Sequence, residues 1–156
     1  MADRMAVMDN GRVIQVGTPQ EIYRDPRTSY VAAFIGETNV VEGTVAGEST
    51  KGAITVETKA GPFAGRITDP DWKPGTGERV MVSVRPEAIR VSDATGPSHG
   101  KIVETTYLGD VIQYKIQRKS GVTLRVSEMN PRVVRQPGDE NLQMSVQPDD
   151  VVVLRE

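Results

Sequence analysis

From residue 40 onward, this chain is a succession of short β-branched runs cut apart by glycine and proline. That spacing confines it to a small barrel or sandwich. Val40 to Val45, Ala53 to Thr58, Arg79 to Val84, Ile89 to Ser92, Lys101 to Tyr107, Val111 to Gln117, Val122 to Val126, Leu142 to Val146 and Val151 to Leu154 all read as strands. Branched side chains are stiff at χ1 and pack well on a pleated surface. Several runs alternate in facing: Val80, Val82 and Val84 oppose Met81, Ser83 and Arg85. Turn signals fall between the runs, at Gly47, Lys59 to Pro62, Lys73 to Gly75, Gly109-Asp110, Ser120-Gly121 and Gln136 to Asp139. No helical period longer than two turns is visible between residues 40 and 156.

The opening residues read differently. Met5 to Met8 and Arg12 to Val16 are apolar runs joined by Asp9-Asn10-Gly11, and Asn-Gly supplies the positive φ angles of a tight hairpin turn. Thr18, Pro19 and Glu21 form a helix-start pattern with a capping box, and that helix is expected to end near Tyr23 because Asp25 precedes a proline. Thr28 or Ser29 caps a second short helix stopped by Gly36, with Tyr30, Val31, Phe34 and Ile35 on one apolar face. The boundaries that follow are residues 1–38 and 39–156. The polar segment Asp93 to Gly100 and a weak internal similarity suggest two sub-barrels, 39–95 and 99–156.

Composition excludes several functions. The 156 residues include no cysteine, so disulfides and thiolate metal sites are ruled out, which suits a cytoplasmic setting. A net charge of −2 with interspersed signs leaves no electrostatic footprint for nucleic acid. One Trp, four Tyr and two Phe are too few for a stacking platform, three of them being committed to the first helices. The longest apolar run, Tyr30 to Ile35, is far too short to insert in a bilayer. No window matches G-x-x-x-x-G-K-[ST]; Gly47 to Gly52 lacks the trailing Lys-Ser/Thr. His99, the only histidine, lies in a Gly/Pro/Ser loop and reads as a solvated bystander. No catalytic, cofactor-binding or metal-ligating residue is expected, and no ATP hydrolysis.

Two specific motifs carry a resemblance. Gly-x-Val-x-Gln-x-Gly-Thr-Pro-x-Glu-Ile-Tyr spans Gly11 to Tyr23, followed by Asp25-Pro26, Val31-Ala32, Phe34-Ile35-Gly36 and Asn39. Val84-Arg85-Pro86-Glu87, Tyr107-Leu108-Gly109-Asp110 with Tyr114, Gly121 to Val126, and Asp149-Asp150-Val151 to Leu154 follow. The first resembles the end of the ATPase domain in the ATP-binding subunit of an ABC-type importer. The second resembles the transport-associated OB-like (TOBE) domain behind it. Glu37-Thr38-Asn39-Val40 after Gly36 is closer to spermidine/putrescine-type importers than to sugar importers.

The resemblance implies an all-β, OB-like fold preceded by a hairpin and two short helices, with residues 1–38 the remnant of an ATPase domain. It also implies that ATP and Mg belong to a domain outside this stretch. The expected role is a non-catalytic regulatory and dimerisation domain, present as a homodimer. The parent subunit would sit at the inner face of the membrane, against a second ATPase subunit and integral-membrane permeases. The alternative is a domain that senses a small oxyanion or the substrate of an iron or sugar importer through Arg85, Lys101 and turn amides. Candidate regulatory or interface residues are Arg85, Glu87, Trp72, Tyr107, Asp110 and Tyr114. Each has a structural reading beside it: Arg85 and Glu87 as strand-end packing, Trp72 as a barrel cap, Gly109-Asp110 as a turn, and Tyr107 with Tyr114 as partly buried cross-strand aromatics. The carboxylates Asp69, Asp71, Glu78, Glu104, Asp110, Asp149 and Asp150 could attract a polycation but read as solvated surface. The hairpin, which would otherwise lie on the ATPase body, needs a cover from the barrel or a second copy.

Overall fold

The computed structural model describes residues 3–155. Strands β1 (Met5–Asp9) and β2 (Arg12–Gly17) form the expected hairpin, with Asn10 at φ 51° and Gly11 at φ 77°. Helix α1 (Pro19–Arg24) starts on a full capping box: the Glu21 amide donates to Thr18 Oγ1 and the Thr18 amide to the Glu21 carboxylate. Helix α2 (Ser29–Ile35) is capped by Thr28, whose hydroxyl accepts from the Val31 amide at 3.2 Å. Its end differs from expectation. Gly36 is extended, at φ 175°, and is no left-handed cap. Arg85 donates instead to the Ala32 carbonyl in the last turn and to the Gly36 and Glu37 carbonyls just beyond it.

The apolar face of α2 is also rotated from the one read off the sequence. Val31 and Ala32 are fully buried, while Tyr30 and Phe34 are exposed and stack on each other with ring centroids 6.1 Å apart. Two surfaces claim this helix at once. Val31 packs with Val7 and Ile22 under the hairpin, and Ala32 packs with Val152 and Leu154 on the barrel. A helix sandwiched this way buries the strip between its two contacts. The inner face of the hairpin is therefore covered by the chain's own helices.

Five strands close the barrel: β3 (Asn39–Glu48), β4 (Ile54–Thr58), β5 (Gly61–Ile67), β6 (Arg79–Val84) and β12 (Val151–Leu154). The strand order is β12-β5-β4-β3-β6, closed by antiparallel β12–β6 and parallel β12–β5 pairing. Strand β5 is the element the sequence hides. Gly61 and Pro62 read as turn residues, and Gly65 adds a further glycine, a residue depleted in strands. The reason for Gly65 is tertiary: a Cβ there would lie 2.7 Å from Val151 Cγ1 and 2.9 Å from the Val151 carbonyl.

The second half supplies β7 (Arg90–Ser92), paired with β11 (Gln143–Ser145), and an antiparallel sheet of β8 (Lys101–Leu108), β9 (Val111–Gln117) and β10 (Thr123–Met129). The two halves are not separate barrels. The last strand crosses back to close the first barrel, and β11 pairs with β7. One core runs through both, joining Val56, Val82 and Val153 of the barrel to Ile102, Tyr114, Ile116 and Leu142. A five-stranded barrel cannot close without β12, and a three-stranded sheet alone leaves one apolar face in water.

Candidate functional site

Strand β6 ends at Val84, and Pro86 turns the chain into a single 3-10 turn, Pro86–Ala88. That turn holds Arg85 and Glu87 against the first two helices. Arg85 Nη1 donates to the carbonyls of Ala32 (2.8 Å), Gly36 (2.8 Å) and Glu37 (3.1 Å). A cation at a helix C-terminus meets both the unpaired carbonyls and the negative end of the helix dipole. The guanidinium lies over the Tyr23 ring, 4.5 Å from its centroid. The Tyr23 hydroxyl donates to Glu87. Three side chains thus bind α1, the end of α2 and the end of β6 together.

Burial pushes the Arg85 guanidinium below its usual pKa, with Tyr23 and Glu87 pulling the other way. Burial also pushes the Tyr23 hydroxyl up, and the hydrogen bond to Glu87 reinforces it. Arg85 Nη2 is buried and makes no hydrogen bond among the described residues. A small cavity of about 70 Å³, bounded by Tyr23, Arg66, Ser83 and Asp149, lies beside Arg85. Arg66 is a second tether of the same kind: it pairs with Asp25 and donates to the Asp149 carbonyl at 2.8 Å. Thr68 Oγ1 donates to the Pro26 carbonyl at 2.6 Å.

The other sequence-derived candidates do not join this cluster. Trp72 is half-buried against the main core; its Nε1 donates to Glu78 at 3.3 Å, and the Arg155 guanidinium lies 5.5 Å from its ring centroid. Tyr107 is 61% exposed near the β8–β9 turn, where Gly109 has φ 73°. Asp110 follows it, exposed, and its carbonyl accepts from the Asn130 amide at 2.8 Å. Tyr114 is fully buried, and its hydroxyl accepts from the Arg135 amide at 3.0 Å. The two tyrosines are therefore not cross-strand partners: Tyr107 faces Ile112, and Tyr114 faces Thr105. An interval of seven residues across a tight hairpin puts them at different levels of the ladder.

Several acidic residues have local partners, Glu78 with Trp72 and the Gly75 amide, Asp69 with Arg155, and Glu104 with Lys115. Among the described residues, no group of three or more His, Cys, Asp or Glu could hold a metal ion.

Sequence reasoning missed three residues. Tyr23 read as a helix end and as the last residue of the opening motif, with no contact to Arg85 or Glu87 expected. Asn39 is a buried polar side chain at the start of β3; its Nδ2 donates to the Val84 and Arg125 carbonyls at 3.1 and 2.8 Å, and its Oδ1 accepts from the Arg125 amide at 2.8 Å. It stitches the barrel to the edge of β10. His99 is half-buried, with Nδ1 accepting from the Met144 amide at 2.9 Å, which corrects its reading as a solvated bystander. An asparagine heading a strand is a visible signal; the Tyr23 and His99 partners lie tens of residues away and leave none.

The closed five-stranded barrel defines an OB-like, all-β domain. Residues 82–154, from the middle of β6 through β12, match the TOBE domain. The chain as a whole matches a C-terminal, TOBE-containing part of ATP-binding subunits of the PotA type. It is 39% identical over 134 residues to the spermidine/putrescine import ATP-binding protein PotA of Rubrobacter xylanophilus, covering 85% of this chain and 35% of that protein. The PotA proteins of Frankia alni and Methylococcus capsulatus are 36% and 34% identical, over 100% and 99% of this chain and 36% and 41% of theirs. The chain therefore spans little more than a third of the length of these relatives. Among solved structures it resembles the cytoplasmic molybdate-binding protein ModG with molybdate bound, at a TM-score of 0.63 and 13% identity, over 74% of this chain and 94% of that one. That likeness concerns the fold. No helix among the described residues is long and apolar enough to cross a membrane.

Proposed function

We propose that this chain is the non-catalytic regulatory and dimerisation part of the ATP-binding subunit of a polyamine importer, working at the cytoplasmic face of the membrane. The observation that carries the reading is the 34–36% identity to PotA proteins over essentially the whole chain. The residues present do not fit ATP with Mg: the sequence has no Gly-rich loop ending in Lys-Ser/Thr, and among the described residues no three carboxylates or histidines converge on a metal site. Nucleotide chemistry then belongs to another part of the parent subunit. A contact between two such domains keeps the motor halves at high effective concentration while they are apart.

The geometry supports a transmitting role. The Arg85 and Arg66 tethers tie the two helices to the barrel, and the hairpin packs on those helices through Val7. The outward side of the hairpin unit is apolar, with Val13 55% and Phe34 61% exposed beside Met8 and Tyr30. An apolar face of this kind marks a contact with another protein surface, here the ATPase body or a second copy.

The test replaces the matching part of the Rubrobacter xylanophilus subunit with this chain. Such a chimaera, assembled with that importer's permeases, is expected to take up labelled spermidine. An assembled complex that hydrolyses ATP yet moves no polyamine would overturn the substrate class.

A further inference from the structure

We propose that the cleft between β5, β10 and β11 is a binding site for a small monocarboxylate with an apolar body. The cleft has a volume of about 370 Å³, within the range of small-molecule sites. Its apolar lining comes from both halves of the fold: Phe63 of β5, Ile89, Leu124 of β10 and Met144 of β11. Two polar side chains, Arg118 and His99, line it as well.

The Arg118 guanidinium is positioned without a counter-ion. Nη1 donates to the His99 carbonyl. Nη2 rests against Gly61, where an added Cβ would come within 2.9 Å of it and where φ is 110°. Among the described residues no carboxylate pairs with Arg118. The side chain is half-buried, and desolvation lowers its pKa, as for a cation partly stripped of water and given no anion in return. His99 adds a second donor. Its Nδ1 accepts from the Met144 amide, which places the ring proton on Nε2, a nitrogen with no partner among the described residues.

A fork of N–H donors over an apolar lining suits a carboxylate whose two oxygens take the guanidinium edge and whose tail lies on Phe63 and Leu124. A fully hydrated inorganic anion would leave that lining wet. A polyamine would meet a like charge. Arg118 also borders a neighbouring pocket with Lys101, Lys119 and Glu140, and among the described residues neither lysine is in an ion pair. The ligand would touch the barrel and the second sheet at once and so couple them. The inference does not rest on the importer reading, and either can fail alone.

The experiment titrates the full chain with hexanoate, and in parallel with hexanamide, acetate and sulfate. Calorimetry gives affinity, and amide shifts of Gly61, His99 and Met144 give location. Hexanoate is expected to bind with a Kd below about 1 mM and to shift those three amides, with hexanamide, acetate and sulfate at least about tenfold weaker. Arg118→Gln should weaken hexanoate by about tenfold or more, and Lys119→Gln by less than about twofold. The site is disproved by an absence of shifts with wild type, by hexanamide, acetate or sulfate binding as well as hexanoate, or by Arg118→Gln retaining full affinity. The comparison of hexanoate with hexanamide needs no variant, so it decides the matter even if Arg118→Gln does not fold.

Discussion

Arg85 gathers three backbone carbonyls, an aromatic face and a nearby carboxylate into one contact set. No other residue type supplies a planar fork and a stacking face together. Arg85→Ala should cost about 2–4 kcal/mol in urea unfolding, because the α2 carbonyls lose a charged donor. Arg85→Lys should recover less than half of that loss, since an ammonium cannot stack and donate in one plane.

The tyrosines make a separate prediction about pH. Burial raises the pKa of Tyr23, with help from Glu87; burial also raises that of Tyr114, with the Arg135 amide opposing. The charged form of tyrosine is the deprotonated one. A raised folded-state value therefore means a contribution present in full below the unfolded value of about 10 and lost as pH climbs past it. Stability measured by denaturant should hold up to about pH 10 and decline above it. Tyr23→Phe with Tyr114→Phe should flatten that decline, and an unchanged slope in the double variant would refute the assignment.

At the scale of elements, the last strand matters most. Val151–Leu154 is paired on both sides, with all four side chains buried. A chain ending at Asp150 should lose cooperative unfolding altogether, seen as a broad melt by circular dichroism. Gly43 tests the opposite wall. A Cβ there would sit 2.6 Å from Val56 Cγ1 and 2.7 Å from the Glu57 carbonyl, and backbone cannot yield. Gly43→Ala should destabilise by about 1–3 kcal/mol. Asn39 belongs here as well, because it substitutes for the ladder bonds that β10 would otherwise lack at its edge.

For the whole molecule, the shared core decides how it melts. Barrel and second sheet contribute to one apolar cluster, so the calorimetric and van't Hoff enthalpies for residues 39–156 should agree. Two resolved transitions within that region would contradict a common core. The hairpin and helices have their own small cluster around Val7, Ile22 and Val31 and are joined to the rest by Ala32 and two arginines. Their exposed apolar face should drive self-association. Sedimentation at high micromolar concentration is expected to show a dimer that Val13→Glu with Phe34→Glu converts to monomer while the melting temperature stays within a few degrees. A monomeric wild type would remove the dimerisation reading.

Local rules were enough for much of this protein. The Asn10-Gly11 hairpin, the Thr18 capping box, the Thr28 cap and the alternating strand at Val80 to Val84 are short-range chemistry, settled within a few residues of backbone. Motif resemblance reached the family for the same reason, because its residues lie close together in the chain. What remained hidden depends on residues far apart. Strand β5 exists in spite of its glycines because Val151 needs the space. The exposed face of α2 was chosen by two competing surfaces, and Arg85 became a helix cap across about fifty residues. The Arg118 cleft is bounded by segments from both halves. Periodicity reports how a segment meets one neighbour, and only closure of the barrel determines which neighbours there are.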